Sequence, residues 1–227
     1  ACIVEPIAGS TGTLVPPKGY LERLREICDK HGIILIFDEV ITGWGRTGSA
    51  FASQEFGVVP DVITMAKATT NGVVPMGVVA VKEEIYDTVM DASPKGAVEL
   101  FHGYTYSGIP IAVAAALAVQ DIFEKEDIFK RSKEMSPYFL DGIFSLKDLG
   151  AIDNIRGYGM MAGIDIKLKE KPGRAGFECF KDCYAAGINF KATGDCLIIA
   201  PQFICEKKHI DEIIEKLRTG ISNYMKK

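Results

Sequence analysis

Residues 33–39 read IILIFDE, an apolar run that ends in two acids, Asp38 and Glu39. A continuous apolar run is typical of a strand that is buried on both faces of a parallel sheet. Ligands of open α/β sheets bind at the carboxyl ends of the strands, so an acid at this position can face a cofactor. The alternative is a strand-end acid that only caps a loop.

Strand and helix patterns alternate around this run. A helix with Leu21, Leu24, Ile27 and Cys28 on one face precedes it and stops at Gly32. Three more strands are predicted, over residues 2–6, 62–66 and 77–81. Two more helices are predicted, a short one after the loop through Gly48 and one that begins near Glu83. Alternation at this spacing predicts an α/β sheet with crossover helices.

The pattern changes after a long helix that starts at Ile109. A strand pair over residues 152–167 and a helix over 175–186 follow. Two short strands, near Ile188 and near Leu197, and a charged terminal helix over 207–224 complete the chain's predicted elements. This second part is typical of an α+β domain. We therefore predict two domains, with residues 1–124 as part of a large domain built on a mixed or parallel sheet and residues 125–227 as a small C-terminal domain.

The overall composition excludes several classes of protein. The chain has 227 residues, 48% of them apolar, and 26 basic against 30 acidic side chains give a net charge of −4. Disordered, collagen-like and coiled-coil chains have other compositions. An acidic chain without a long basic run predicts no nucleic-acid partner. No targeting segment is recognisable and the longest apolar runs are too short for a bilayer, which predicts no membrane association.

Six cysteines, most of them among apolar neighbours, predict reduced core thiols and a cytoplasmic location. Cys179 with Cys183, and Cys205 with His209, have side chains that zinc accepts. A buried helix face explains the first pair better, so we predict no metal. Because Ala1 leads directly into a strand-like segment, we expect a fragment or a processed chain.

Lys67 directly follows the apolar stretch VITMA. Most lysines are solvated surface groups, but a desolvated lysine has a lowered pKa and becomes a nucleophile that forms Schiff bases. Lys67 lies 67 − 38 = 29 residues after Asp38, one crossover unit, so we expect both at the same edge of neighbouring strands. An acid beside a Schiff-base lysine is what pyridoxal phosphate (PLP) requires, since the acid keeps the pyridine nitrogen protonated.

Two other motifs point elsewhere. Residues 43–48, GWGRTG, match the dinucleotide-binding pattern G-x-G-x-x-G, but DEVIT separates them from the strand and Asp61 precedes its strand instead of ending it. IILIFDE is also similar to the acidic strand end of a P-loop ATPase, yet the sequence contains no G-x-x-x-x-G-K-[ST] loop. Residues 102–108, HGYTYSG, precede the long helix, where hydroxyls and amides can bind phosphate and Ser107 can also serve as an N-cap.

Taken together, these stretches resemble the class III (omega) family of PLP-dependent aminotransferases. EPIAGSTG, PPKGYLERLREICDKHGIILIFDEVITGWGRTG, FGVVPDVITMAKATTNGVVPMG and HGYTYSG stand in the family's order and spacing, and the similarity continues through RGYGMMAGID to the terminal helix. The omega-amino acid (β-alanine):pyruvate aminotransferases are the most similar subgroup. The resemblance implies a fold type I PLP-dependent transferase, PLP as cofactor, small amine and keto-acid substrates, and a homodimer or higher homo-oligomer.

The resemblance also implies roles for single residues. Lys67 matches the lysine that forms the Schiff base with the cofactor and moves the proton, and Asp38 matches the partner of the pyridine nitrogen. Val40 matches the residue that packs on the ring face. Thr105 matches a threonine that reaches the cofactor phosphate of the neighbouring subunit. Trp44 is expected to shape the substrate pocket, with loop packing as an equal explanation.

Three further positions bear on the substrate. Glu5 matches a glutamate near the site. Ornithine and 4-aminobutyrate relatives carry a glutamate where Ser10 stands, so serine favours the pyruvate-using subgroup. An arginine usually holds the substrate carboxylate where Lys191 stands, and lysine keeps its charge but loses the planar two-point grip.

The resemblance thus implies transfer of an amino group from an omega-amino acid or amine to pyruvate or a similar keto acid. Family members carry a long N-terminal half before the first strand found here, so we expect a C-terminal portion. The alternatives are another fold type I PLP enzyme (an aminomutase or a decarboxylase), a catalytically incompetent fragment or interaction protein, and a dinucleotide-dependent oxidoreductase.

Overall fold

The computed structural model describes residues 1–96, 105–167 and 171–227. Two four-stranded sheets organise these residues. The strands are β1 (Cys2–Val4), β2 (Leu35–Asp38), β3 (Val62–Met65), β4 (Val78–Val81), β5 (Ile152–Tyr158), β6 (Met161–Ile166), β7 (Lys191–Thr193) and β8 (Cys196–Ile199). The helices are α1 (Tyr20–His31), α2 (Ala52–Phe56), α3 (Glu83–Asp91), α4 (Pro110–Lys125), α5 (Ile128–Ser145), α6 (Ala175–Ala185) and α7 (Lys207–Lys226).

The first sheet has the order β1-β2-β3-β4, and β1, β2 and β3 run parallel. The predicted strand at IILIF is confirmed as β2, but its predicted burial on both faces is wrong. Leu35 and Phe37 are fully buried, whereas Ile36 between them is half-buried. Successive side chains of a strand point to opposite faces, and α1 covers only one face with Leu21 and Cys28.

The last strand of this sheet departs from simple strand-helix alternation. β4 pairs antiparallel with β3, with Thr64 opposite Val79. Only a 3-10 turn (Lys67–Thr69) and a short loop separate these two strands, and no helix crosses over between them. A short connection permits an antiparallel pair, while a parallel pair needs a crossover of a dozen or more residues. The sheet is therefore mixed.

The second sheet has the order β5-β6-β8-β7 and all its pairs are antiparallel. A core of fully buried side chains from α5, α6, α7 and the strands packs against it: Phe139, Ile143, Ile164, Cys183, Leu197 and Leu217. The predicted α+β elements after residue 150 are confirmed. The predicted boundary at residues 124/125 falls at the end of α4, and the division into domains stays a prediction.

Side-chain bonds to backbone carbonyls join the two halves. Ser132 on α5 donates to the carbonyl oxygen of Gly45 at 2.6 Å. Arg156 on β5 donates through Nε to the carbonyl oxygen of Gly12 at 2.7 Å. The loops that follow the parallel strands are thereby held against the second sheet.

Candidate active site

A cavity of about 550 Å³ lies where the loops after β1, β2 and β3 meet the second sheet. The loop after β1 contributes Ser10 and Thr13, and the loop after β2 contributes Val40. Lys67 comes from the turn after β3, and Lys191 comes from β7. The carboxyl ends of three parallel strands thus converge on one cavity, the usual place for a ligand of an open α/β sheet.

The charged residues that line this cavity are all basic. They are Arg46, Lys67 and Lys191, and no aspartate or glutamate is among the lining residues that the structure describes. The remaining wall is mostly apolar, with Ile198 and Phe203 as examples. Low-dielectric walls strengthen the field of like charges, so the cavity favours an anionic ligand.

Lys67 has a strained backbone and an exposed side chain. Its φ of 49° lies in the left-handed region, which is uncommon for a residue other than glycine. Thr13, across the cavity, also has a left-handed φ, 56°. Such strain clusters at functional sites. The expectation of a desolvated lysine is wrong for this structure: the apolar stretch is β3 itself, and Lys67 lies beyond its end, where the chain turns into solvent.

Asp38 ends β2 at the edge from which Lys67 emerges. In the parallel pair of β2 and β3 it stands opposite Thr64, three residues before Lys67. This confirms that the two residues follow neighbouring strands at one edge. The Oδ1 atom of Asp38 accepts the N–H of Val40 at 3.0 Å, and Oδ2 accepts no hydrogen bond from the described residues. Asp38 therefore caps its loop and keeps one oxygen available.

Glu39, the second acid of IILIFDE, organises the following loop. Its carboxylate is fully buried and accepts hydrogen bonds from Ala52 N at 2.5 Å, Ser53 N at 2.8 Å and Thr42 Oγ1 at 3.1 Å. Burial raises the pKa of Glu39, although the bonds from Ser53, Ala52 and Thr42 act in the opposite direction. The residue pattern of IILIFDE assigned no separate role to Glu39, and the structure shows that it anchors this loop from a buried position.

Trp44 stands behind the cavity and is not among its lining residues. Its ring packs edge-on against Phe51 and Phe123, with centroids 5.4 Å and 6.3 Å away. Its Nε1 donates a hydrogen bond of 3.0 Å to Oγ1 of Thr69. These contacts agree with the alternative explanation, in which Trp44 packs the loop. They do not place Trp44 in contact with a substrate in the cavity.

The other predicted site residues lie in three places. Ser10 and Lys191 line the same cavity as Lys67. Glu5 lies at the start of the first loop, where its Oε2 accepts the N–H of Gly9 at 3.0 Å. Thr105 is exposed and lines a separate depression beside β4 and the start of α4. Residues 102–104 of the HGYTYSG motif lie outside the described residues.

Arg46 is the site residue that sequence reasoning missed. It belongs to GWGRTG, in which the sequence motifs predicted a site role for Trp44 and none for Arg46. Gly43 stands 43 − 38 = 5 residues beyond the end of β2 and does not form the turn that follows the strand, so the structure gives no support to the dinucleotide alternative. A basic residue inside a buried, glycine-rich loop was the signal that could have found it.

The structure also bears on the possible metal ligands and on membrane-spanning helices. Within the described ranges, no cluster of three or more His, Cys, Asp or Glu side chains is arranged to hold a metal ion. Cys179 and Cys183 are buried in the core, and Nδ1 of His209 accepts the N–H of Glu206 at 3.0 Å. None of the helices in the part of the chain that the structure describes is long and apolar enough to cross a membrane.

Comparison with known proteins agrees with this geometry. The family described as aminotransferase class-III matches residues 1–221. The chain belongs to the class-III aminotransferase family. The family named from the sequence motifs is thereby confirmed, and class-III aminotransferases depend on PLP.

Two curated class-III aminotransferases illustrate the similarity. The omega-aminotransferase of Caulobacter vibrioides is 49% identical over 219 residues, which are 96% of this chain and 50% of that protein. The beta-alanine--pyruvate aminotransferase of Pseudomonas aeruginosa is 44% identical over 224 residues, 98% of this chain and 50% of its own length. This class-III chain thus spans about half the length of the curated relatives it matches.

Solved transaminases share the fold. An (S)-enantioselective omega-transaminase from Thermomicrobium roseum superposes with a TM-score of 0.91 at 34% identity, over 98% of this chain and 50% of that one. An amine transaminase from an uncultivated Pseudomonas species, solved in its PLP-bound form, gives a TM-score of 0.90 at 32% identity, over 98% and 52% of the two chains. The predicted fold type I architecture is confirmed.

The residues present fit PLP. The cofactor needs a primary amine, a carboxylate for its ring nitrogen and cationic surroundings for its phosphate. Lys67 has a primary amine, and one oxygen of Asp38 accepts no hydrogen bond from the described residues. The cavity lined by Arg46, Lys67 and Lys191 has no acid among its described lining residues and so suits a molecule that carries negative charge.

Proposed function

We propose that the protein carrying this chain is a PLP-dependent transaminase. It moves an amino group from an omega-amino acid or amine to pyruvate or a similar keto acid. The observation that carries the proposal is the placement of Lys67 and Asp38 after neighbouring parallel strands, beside a cavity whose charged walls are all basic. The names of the most similar curated relatives support the choice of substrates.

The roles of the chain's residues follow from their positions. PLP, when bound, supplies an electron sink for the carbon that carries the amino group. The Nζ atom of Lys67 would bind the cofactor and move the proton of that carbon. The free Oδ2 atom of Asp38 would accept the N–H of the pyridine ring, and Val40 would pack against the ring face. Lys191 would hold the carboxylate of the substrate.

We also propose a homodimer in which Thr105 serves the neighbouring subunit. Thr105 is exposed and lies in a depression with Ser107 and Val79, apart from the cavity that Lys67 lines. Such a residue is well situated to reach a site on a second copy and poorly situated to reach its own. We further propose a cytoplasmic location, which the six free cysteines of the described chain support.

Reductive labelling tests the central assignment. Treatment of the PLP-loaded protein with borohydride should bleach its aldimine absorbance and leave the label on Lys67. Lys67→Arg should abolish the label and lower the turnover of β-alanine with pyruvate by about 10²–10⁴-fold, since the proton-transfer group is lost. Lys30→Arg, an exposed lysine on α1, is the matched control and should behave as the unmodified protein.

The products separate the alternatives. Alanine formed from β-alanine only when pyruvate is present identifies a transaminase. Conversion of the amine without pyruvate would point to an aminomutase or a decarboxylase. A label on another lysine, or no absorbance after PLP is added, would contradict the proposal.

A further inference from the structure

Arg46 is a partly buried cation with no acidic partner in the part of the chain that the structure describes. Its Nη1 atom donates to the carbonyl oxygens of Met160 at 2.9 Å and Pro201 at 2.7 Å. Both acceptors are neutral. Burial lowers the pKa of the guanidinium to about 10, which still leaves it charged at neutral pH. A buried charge without a counter-ion is unusual and calls for an explanation.

The guanidinium is held in one orientation. Its central carbon lies 4.3 Å from the ring centroid of Phe203, so the ring covers one face. The two carbonyl oxygens fix one of its edges. Phe203, Pro201 and Arg46 itself all line the cavity that contains Lys67 and Lys191. A receptor that is fixed before its ligand arrives loses little entropy on binding.

The opposite edge of the guanidinium is available. Nε and Nη2 of Arg46 donate no hydrogen bond to the described residues. Neither atom is among the fully buried side-chain atoms that lack a hydrogen-bond partner. Nε–H and Nη2–H are parallel donors spaced to meet the two oxygens of a carboxylate. Arg156 provides a contrast within the same protein, because its guanidinium is occupied by Asp165 at 2.5 Å and 3.0 Å.

We propose that the Nε/Nη2 edge of Arg46 binds the carboxylate of the keto-acid substrate, which makes Arg46 a specificity-determining residue. The proposal rests on the proposed transaminase function and extends it. Lys191 lines the same cavity, and its ammonium group acts there as a point charge. Arg46 adds a planar guanidinium with two parallel N–H donors, which Lys191 lacks. Together they would favour acceptors that carry a carboxylate over those that do not.

A matched pair of acceptors tests this in the full, PLP-loaded protein. Acetaldehyde is pyruvate with the carboxylate replaced by hydrogen. Arg46→Gln should raise the KM for pyruvate by about tenfold or more, the size expected for lost bonds to a charged group, and change that for acetaldehyde by less than about twofold. Arg156→Gln removes another inter-sheet arginine and should leave the ratio of the two constants unchanged. Equal effects of Arg46→Gln on both acceptors, or none, would overturn the proposal.

A second measurement needs neither a variant nor turnover. Phenylglyoxal reacts with accessible guanidinium groups, and propionate is a carboxylate that cannot be transaminated. Propionate should slow labelling of Arg46 and not that of Arg23, an exposed arginine on α1, as read by peptide mass spectrometry. Labelling of Arg46 at the same rate with and without propionate, or no labelling at all, would overturn the proposal. If propionate protects Arg46 but the protein catalyses no transamination, the carboxylate site is supported and the proposed function is refuted.

Discussion

The indole Nε1 of Trp44 donates a hydrogen bond of 3.0 Å to Oγ1 of Thr69, two residues beyond Lys67. The same hydroxyl donates to the carbonyl oxygen of Ala66 at 3.0 Å. The turn that presents Lys67 is thus tied on one side to its own strand and on the other to the loop after β2. Trp44 therefore contacts the turn that presents Lys67, and not the cavity itself.

Trp44→Phe removes that bond while keeping most of the aromatic packing. We expect a loss of about 1 kcal/mol in the free energy of unfolding, as for a typical buried hydrogen bond, and a lower kcat with little change in KM. Thr69→Val removes this bond and also the bond to Ala66, so it should lower kcat in the same way and cost more stability than Trp44→Phe. The double variant should be no worse than Thr69→Val alone in denaturant unfolding and steady-state kinetics. A change in KM with Trp44→Phe alone would instead place Trp44 in contact with substrate.

Lys191→Arg should lower the KM for the keto acid. Arginine keeps the charge of Lys191 at the cavity wall and adds a second parallel donor for the carboxylate, so we expect a decrease of about two- to tenfold. Lys191→Gln, which removes the charge, should raise the same constant. An unchanged constant in Lys191→Arg would refute the carboxylate role of this residue.

Asp61 joins three elements and stabilises the fold in a pH-dependent way. It accepts Lys82 Nζ at 2.7 Å, Leu35 N at 2.8 Å and Arg25 Nη1 at 2.9 Å. Burial alone would raise the pKa of Asp61, but the bonds from Lys82, Leu35 and Arg25 outweigh it and lower the pKa to about 2. The carboxylate is therefore favoured in the folded state.

Asp61→Asn should cost about 1–2 kcal/mol of unfolding free energy at neutral pH. Because the folded pKa is lowered from 3.8 to about 2, this stabilisation is complete above the unfolded value and disappears as the pH falls through the folded one. Urea unfolding of both proteins between pH 7 and pH 2 checks this, and the curves should converge in acid. Asp29→Asn, at an exposed partner of Arg25, should change stability by less than about 1 kcal/mol.

Gly163 on β6 marks the closest approach between the second sheet and the loop after β1. A Cβ atom at this position would overlap the carbonyl oxygen of Gly12. We expect Gly163→Ala to destabilise the protein by about 1–3 kcal/mol, because backbone on both sides cannot yield. Gly150→Ala, where the nearest atom is a flexible methionine end 3.7 Å away, should be nearly neutral in thermal unfolding. Equal effects of the two substitutions would show that the loop moves away easily.

Local patterns were sufficient for most of the secondary structure. The apolar run before Asp38, the helix face that ends at Gly32 and the strand before Lys67 each predict an element from neighbouring residues alone. Periodicity and turn residues act over a few positions, so β2, α1 and β3 follow from the sequence. The antiparallel direction of β4 was less evident, because strand patterns do not carry direction.

The sequence by itself determined the family, the parallel core of the first sheet and the pairing of Lys67 with Asp38 at one sheet edge. Only the tertiary structure decided that Lys67 is exposed and that Trp44 supports Thr69. It also decided that Arg46 and Lys191 line one cavity with no acid among its described lining residues. The physical reason is that charge balance, burial and cavity shape depend on side chains far apart in the chain, such as Arg46 and Pro201, which meet only when both sheets are in place.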